Sequence, residues 1–327
     1  MWSYRLAAMS RLEIRAFSDE FVPAAGELLA ARHRAHRAAE PLLPARFEEA
    51  AAAQSEVESL LALDGASGSV ALRDGRPVGY LLGAPRPNPI WGDNVWVEPA
   101  GHAVEEPEDL RDLYGSAAGR WVDEDERPRH YALVPASDSA LVEAWARVGF
   151  GQQHAYGIQE VVATNWPGDV RLATTEDVDG LLELDPVLSD HQSQAPVFAR
   201  GLPRESPEEV RAEILEDLAD EAHGDLVVEQ EGRIVGSFVL APVELSSVHT
   251  GLTRPDGAVL LGWAATRPDV RGSGVGLALM QAAFAWAGER GYETMVTDWR
   301  VTNLLSSRFW PQRGFRETFL RLYRHIP

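Results

Sequence analysis

Six residues, Arg271-Gly272-Ser273-Gly274-Val275-Gly276, have the types and the spacing of an anion cradle. They follow an apolar run, Val259 to Thr266, that reads as a buried strand, and they open a helix that is apolar almost all round, Leu277 to Gly288. A strand, a glycine-rich turn and a helix N-terminus together present free backbone N–H groups and the positive end of the helix dipole. Glycine lets that backbone come close to a ligand with no Cβ in the way. The pattern predicts a phosphorylated ligand near the C-terminal end of the chain.

A second pattern follows. Asn303 comes after another strand reading, Glu293 to Thr297, and starts a helical run from Leu304 to Gln312 that Gly314-Phe315 ends. The glycine loop, an Asn, and Gly-Phe eleven and twelve residues after it resemble the GNAT family of acyl-CoA-dependent N-acetyltransferases, over Leu226 to Phe315. The resemblance implies that the loop amides and Arg271, Gly272, Ser273, Gly274, Val275 and Gly276 hold the pyrophosphate of acetyl-CoA. It also implies backbone contacts from Ala265 and Thr266 to the pantetheine arm, with Asn303 beside the far end of that arm. Many members of the family place a Tyr seven residues after this Asn to protonate the leaving thiolate; here that position is Trp310. An indole N–H donates a hydrogen bond but is not a usable acid. A thiol titrates near 8.5, so a thiolate can leave without one.

Attack by an amine on a thioester requires the neutral amine, so a carboxylate or an imidazole must take a proton. The candidates are Asp298 at the end of the second strand, Glu244 and His249 in the connection before the loop-bearing strand, and Asp190 and His191 after the first helix of the second half. Tyr323, in a last strand from Thr318 to His325, is the stand-in for the missing acid. The acceptor pocket is expected to draw on Asp190 to Phe198. No His spacing suggests a metal site, and none is assigned.

The elements that must carry these residues occur twice. Arg73 to Gly79 mirrors Gln230 to Gly236, each a short hairpin around a Gly-containing turn. Asp138, Trp145 and Gly149-Phe150 stand at the spacings of Asn303, Trp310 and Gly314-Phe315. Each half opens with an extended segment, Leu12 to Phe17 and Val170 to Ala173, before a helix. The expected fold class is therefore α/β (α+β): two tandem GNAT-like domains, each a mixed twisted β-sheet flanked by helices. Turn residues at Asn165 to Gly168 put the boundary between 1–165 and 166–327. Where the first half should carry a phosphate loop it has Glu105, Glu106, Glu108 and Asp109 before a helix from Leu110 to Val122. Carboxylates repel a pyrophosphate but are at home at a helix N-terminus. Only the C-terminal domain is expected to bind coenzyme A.

Composition narrows the chemistry further. The 327 residues are long enough for two domains, and an apolar fraction of 45% is that of a globular chain. All thirty basic residues are Arg. A Schiff-base lysine, a Walker-type lysine and a lysine base are thereby excluded. Without Cys there is no thiol nucleophile and no disulfide. A net charge of −20 opposes nucleic acid and suits a cationic amine acceptor. No signal peptide or membrane-length apolar span is read, which predicts a cytoplasmic protein away from membranes; self-association stays open. Met1 to Met9 precede the first strand and read as a loose extension. The functional expectation is transfer of acetyl from acetyl-CoA to a small-molecule amine by direct attack. The rival is an acyl-CoA-binding sensor whose catalysis has lapsed, and a dinucleotide site is disfavoured because no acidic residue follows about twenty positions on.

Overall fold

The computed structural model describes residues 11–87, 91–199 and 206–327, so the Met1 to Met9 extension lies outside the described residues. The first half runs β1 (Leu12–Ala16), α1 (Val22–Ala39), α2 (Ala50–Leu61), β2 (Ser67–Arg73), β3 (Arg76–Gly83), β4 (Asn94–Val97), β5 (His102–Val104), α3 (Asp109–Asp123), β6 (Arg129–Pro135), α4 (Ser139–Arg147) and β7 (Gly151–Glu160). The second half runs β8 (Val170–Leu172), α5 (Val178–Leu184), α6 (Pro186–Ser193), α7 (Pro207–Ala219), β9 (Gly224–Gln230), β10 (Arg233–Pro242), β11 (Val259–Thr266), α8 (Val275–Glu289), β12 (Thr294–Arg300), α9 (Ser306–Gln312) and β13 (Arg316–His325). The repeat read from the sequence is thus a repeat of elements, with β4 and β5 standing in the first half where β11 stands in the second. Among the described residues no helix is long and apolar enough to cross a membrane.

The chain folds as two compact units. One runs through Gln153 and takes in Phe319–Pro327; the other is His154–Thr318. The turn residues near 165 lie after β7, which ends at Glu160, whereas the compact units divide within β7, after Gln153. From His154 onward β7 lies antiparallel to β12, and from Phe319 onward β13 lies antiparallel to β6. Turn residues record where a strand stops; they carry no information about which sheet it joins, because its partners are distant in sequence.

In the first unit β1-β2-β3-β5 form one sheet, and β4, β6 and β13 lie side by side with β4 parallel to β6. The second unit holds six strands in the order β7-β12-β11-β10-β9-β8. All its neighbours are antiparallel except β11 and β12, which are parallel. Both hairpins turn on two residues with positive φ, Asp74 and Gly75 at 51° and 79°, Glu231 and Gly232 at 53° and 74°. That is the turn whose twist matches paired strands.

Helix α8 is held against the sheet of the second unit by its apolar sides. Leu279, Met280, Ala282, Ala283 and Trp286 are all at most 2% exposed. Close approach is possible because β10 has glycine at 236: a Cβ there would stand 2.8 Å from Val275 Cγ1 and 3.0 Å from Leu279 Cδ1. This contact fixes the first turn of α8, and with it the glycine loop. Gly236→Val should cost about 1–3 kcal/mol through overpacking. The check is the urea midpoint, and Val275→Ala in the same chain should restore part of the loss.

Candidate functional site

The cavity of the second unit begins where β11 leaves β12. The two strands are paired only at Val259↔Met295 and Leu260↔Val296. On its other edge β11 steps out of register with β10, Val239 pairing with Trp263 and Leu240 with Leu261, so that Gly262 is the extra residue of a bulge. A bulge bends its strand and strengthens its twist. The Leu261 carbonyl beside the parting is satisfied by the Thr297 hydroxyl, which donates to it at 2.9 Å. Beyond that point β11 carries on without a β12 partner, and its backbone forms one wall of a cavity of about 400 Å³.

The glycine loop forms the end of this cavity. Gly272 and Gly274 have φ of 82° and 102°, which side chains on L-residues rarely adopt. Gly274 is the N-cap of α8 and supplies no side-chain oxygen. The amides of Val275 and Gly276 have no carbonyl a turn earlier, so they remain free to bind an anion. Arg271 lines the cavity and belongs to no ion pair among the described residues. Partial burial draws its pKa down, yet a guanidinium stays charged throughout the neutral range. The Ser273 hydroxyl turns back to donate to Val270 O at 2.7 Å, and Val275 is buried against Gly236. Those two residues shape the loop by their side chains and can offer a ligand only their backbone. Ala265 and Thr266 also line the cavity. The Ala265 methyl packs with Leu181, Leu184, Val227 and Ile234, so its contribution is likewise backbone.

Asn303 is 4% exposed, and its Oδ1 accepts from Leu305 N at 3.1 Å, capping the start of α9. The same oxygen lies 3.1 Å from His191 Nε2 on α6. An amide oxygen can only accept, so Nε2 carries the proton and the lone pair of the neutral ring sits on Nδ1. One residue further, Gln192 accepts from Arg300 Nε at 3.0 Å. Two hydrogen bonds therefore fasten the end of α6 to the end of β12 and the loop after it.

The remaining candidates are scattered. His191 lines the cavity with Val187 and Leu188, whereas Asp298, Glu244 and His249 are not among the residues that line it. Asp298 accepts from His154 Nδ1 at 3.0 Å across the β7–β12 ladder. Glu244 is exposed on the turn after β10. His249 is 1% exposed with its ring 5.1 Å from Tyr156; burial lowers its pKa and keeps it neutral. Tyr323 belongs to the other unit, opposite Tyr131 on β6 with their rings 4.9 Å apart. Asp190 is exposed on α6. Trp310 is 5% exposed and packs on Phe238 and Phe315 while also lining the cavity.

Phe238, Leu277, Leu305, Phe309 and Arg313 line the cavity too, and none of them belongs to the glycine-loop or Asn303 patterns. Leu305, Phe309 and Arg313 stand four apart, the spacing of one helix face, and that periodicity was the available signal. Gly262 inside an apolar strand was the signal for the bulge.

In the first unit the acidic segment is neutralised from within. Glu105 is bound by Arg76 at 2.5 and 2.8 Å, which lowers its pKa. Asp109 is bound by Arg73 at 2.6 Å, although burial, the stronger influence, raises its pKa. Glu108 pairs with Arg111. Trp145, the counterpart of Trp310, is fully buried with no hydrogen-bond partner on its Nε1.

Residues 187–315 match the acetyltransferase (GNAT) family model. No curated protein matches the chain by sequence. Among solved structures, a GCN5-related N-acetyltransferase from Sphaerobacter thermophilus is 17% identical, covers 96% of this chain and 95% of its own, and has a TM-score of 0.57. A glucosamine N-acetyltransferase region of a fungal multi-domain β-N-acetylglucosaminidase is 13% identical, covering 97% of this chain and 38% of its own at a TM-score of 0.52. A tandem GNAT protein from the clavulanic acid biosynthesis pathway is 16% identical over 96% of this chain and 97% of its own, with a TM-score of 0.47. At these identities the likeness is one of fold: two GNAT-like domains, each a mixed sheet flanked by helices.

The double use of Asn303 Oδ1 has a measurable cost. Asn303→Ala removes a helix cap and should lower stability by about 1 kcal/mol, whereas Asn303→Asp keeps an acceptor oxygen and should stay close to the parent. Thermal melts of the two variants side by side check this.

Proposed function

We propose, from the match of residues 187–315 to the GNAT acetyltransferase family model, that the second unit binds an acyl-CoA, acetyl-CoA first among them, and passes the acyl group to a small-molecule amine. One observation carries this reading: a single cavity joins the glycine loop at the start of α8 to the length of β11 that has left β12, and among the described residues no Asp or Glu lines it. In a chain of net charge −20 that absence suits a polyanionic ligand. The free amides of Val275 and Gly276 and the guanidinium of Arg271 hold the pyrophosphate. The exposed edge of β11 at Ala264 to Thr266 pairs with the amides of the pantetheine arm, and Asn303 borders its far end.

The reaction is direct transfer. The amine nitrogen bonds to the thioester carbon, and the carbonyl oxygen takes up negative charge against backbone N–H groups of β11. The proton released by the amine passes to His191 Nδ1, directly or through one water, and the carbon–sulfur bond breaks with coenzyme A leaving as thiolate. His191 fits the base role because it is the candidate that lines the cavity and Asn303 holds its other nitrogen protonated. Trp310 offers only a hydrogen-bond donor, so thiolate departure relies on the thiol's own acidity. The first unit does not bind coenzyme A in this reading, since the start of α3 carries its own acids, and Arg76, Arg111 and Arg73 already hold Glu105, Glu108 and Asp109.

Isothermal titration tests the binding. Acetyl-CoA should bind and NAD should not; Arg271→Gln should weaken acetyl-CoA about tenfold or more, and Gly274→Val, forced to a positive φ, should abolish it. Glu106→Gln should change nothing, and a loss there would overturn the asymmetry between the halves.

Thiol release against a panel of amines tests the chemistry. His191→Gln should lower turnover by about 10²–10⁴-fold and leave acetyl-CoA affinity unchanged. If acetyl-CoA binds but no amine accelerates its turnover, the protein is an acyl-CoA-binding protein and the transferase reading fails.

A further inference from the structure

Several arginines of the second unit are held in ion pairs. Arg171 pairs with Asp177 and Glu229, Arg233 with Asp269, Arg267 with Glu183 and Arg316 with Glu160. Other arginines of this unit, Arg254 and Arg308 among them, are in no ion pair among the described residues either, so what distinguishes an unpaired arginine is where it stands. The cavity has two. Arg271 and Arg313 both line it, and neither is in an ion pair among the described residues. Arg313 also has a buried Nε with no hydrogen-bond partner.

Its position assigns it to the phosphate end of the cavity. The Arg313 guanidinium carbon is 5.3 Å from the centre of the Phe309 ring. That ring in turn approaches to 3.4 Å of the point where a Cβ on Gly276 would stand. Gly276 is in the first turn of α8, beside the amides that suit a pyrophosphate. Arg271 comes to the cavity from the loop before α8, and Arg313 from the C-terminal end of α9. Two guanidinium groups on separate elements suit two separate anionic groups better than one, because each planar fork can grip a phosphate by itself.

We propose that Arg313 recognises a phosphate monoester carried by the ligand in addition to its pyrophosphate, which for coenzyme A is the phosphate on the 3′ position of the ribose. This rests on the acyl-CoA reading above and deepens it: the site selects coenzyme A over the same molecule without that phosphate. A purely structural Arg313, balancing the negative end of α9 and lying on Phe309, explains its charge but not its place in the cavity wall beside the glycine loop.

The two accounts part in a titration of the full chain with coenzyme A and with 3′-dephospho-coenzyme A. The parent protein should bind coenzyme A about tenfold or more tighter, the worth of a charge-assisted contact. Arg313→Gln should bring the ratio close to one by weakening coenzyme A alone, with 3′-dephospho-coenzyme A bound as before, which also demonstrates that the variant is folded. Arg271→Gln should weaken both ligands in the same proportion. Equal affinity of the parent for both ligands, or an Arg313→Gln variant that weakens both alike, overturns this proposal and leaves the acyl-CoA reading standing. A parent that binds neither ligand refutes both.

Discussion

β11 and β12 part after two paired residues, and the cavity exists because of that divergence. Its cause is local: the bulge at Gly262 turns β11 while β12 continues along its ladder with β7. A backbone edge running through the interior is normally untenable, since each unpaired N–H and C=O costs about what a lost hydrogen bond would. One such group is repaired within the protein, where Thr297 reaches Leu261 O. The rest of the edge faces a cavity, and in the reading proposed here a ligand arm rich in amides completes the ladder. The bulge is therefore both the structural irregularity and the place where the ligand is read.

Charge is organised around the same cavity. The two halves meet the same problem, a helix N-terminus with unsatisfied amides, and solve it in opposite ways. At α3 the sequence supplies its own acids, and Arg73, Arg76 and Arg111 hold them. At α8 glycines leave the amides bare, acids are kept from the wall, and two arginines remain unpaired. A helix end that carries its own counter-charge is stable by itself. One without it leaves its amides free, and in the proposed function an anion takes them. The hydrogen bonds from His191 and Gln192 then tie α6 to the far end of the cleft, so the imidazole proposed as base is oriented by the cap of a neighbouring helix.

The glycine loop, the strand before it, the apolar helix after it, and the Asn303 cap were all legible in the chain, because each is set by near neighbours and by the small menu of turns and caps. The repeat was legible for the same reason: both hairpins turn on adjacent residues with positive φ, an acid followed by Gly. The division of the chain was not. β7 and β13 read as strands, but which sheet each joins depends on partners more than a hundred residues away. Among the candidate proton acceptors, sequence position gave Asp298, Glu244, His249, Asp190 and His191 equal standing. Only folding put His154 on Asp298, buried His249 against Tyr156, left Glu244 on an exposed turn, and brought His191 to Asn303.

The sequence by itself thus determined the local character of the loop: amides, glycines and an arginine in a row, all within one turn of backbone. Tertiary structure decided what surrounds that loop. The bulge at Gly262, the second arginine at 313 and the ring of Phe309 between it and Gly276 come together from three elements. Local conformation follows from local chemistry, whereas the shape of a cavity is a property of the strands and helices that fail to touch, and no stretch of sequence records that failure.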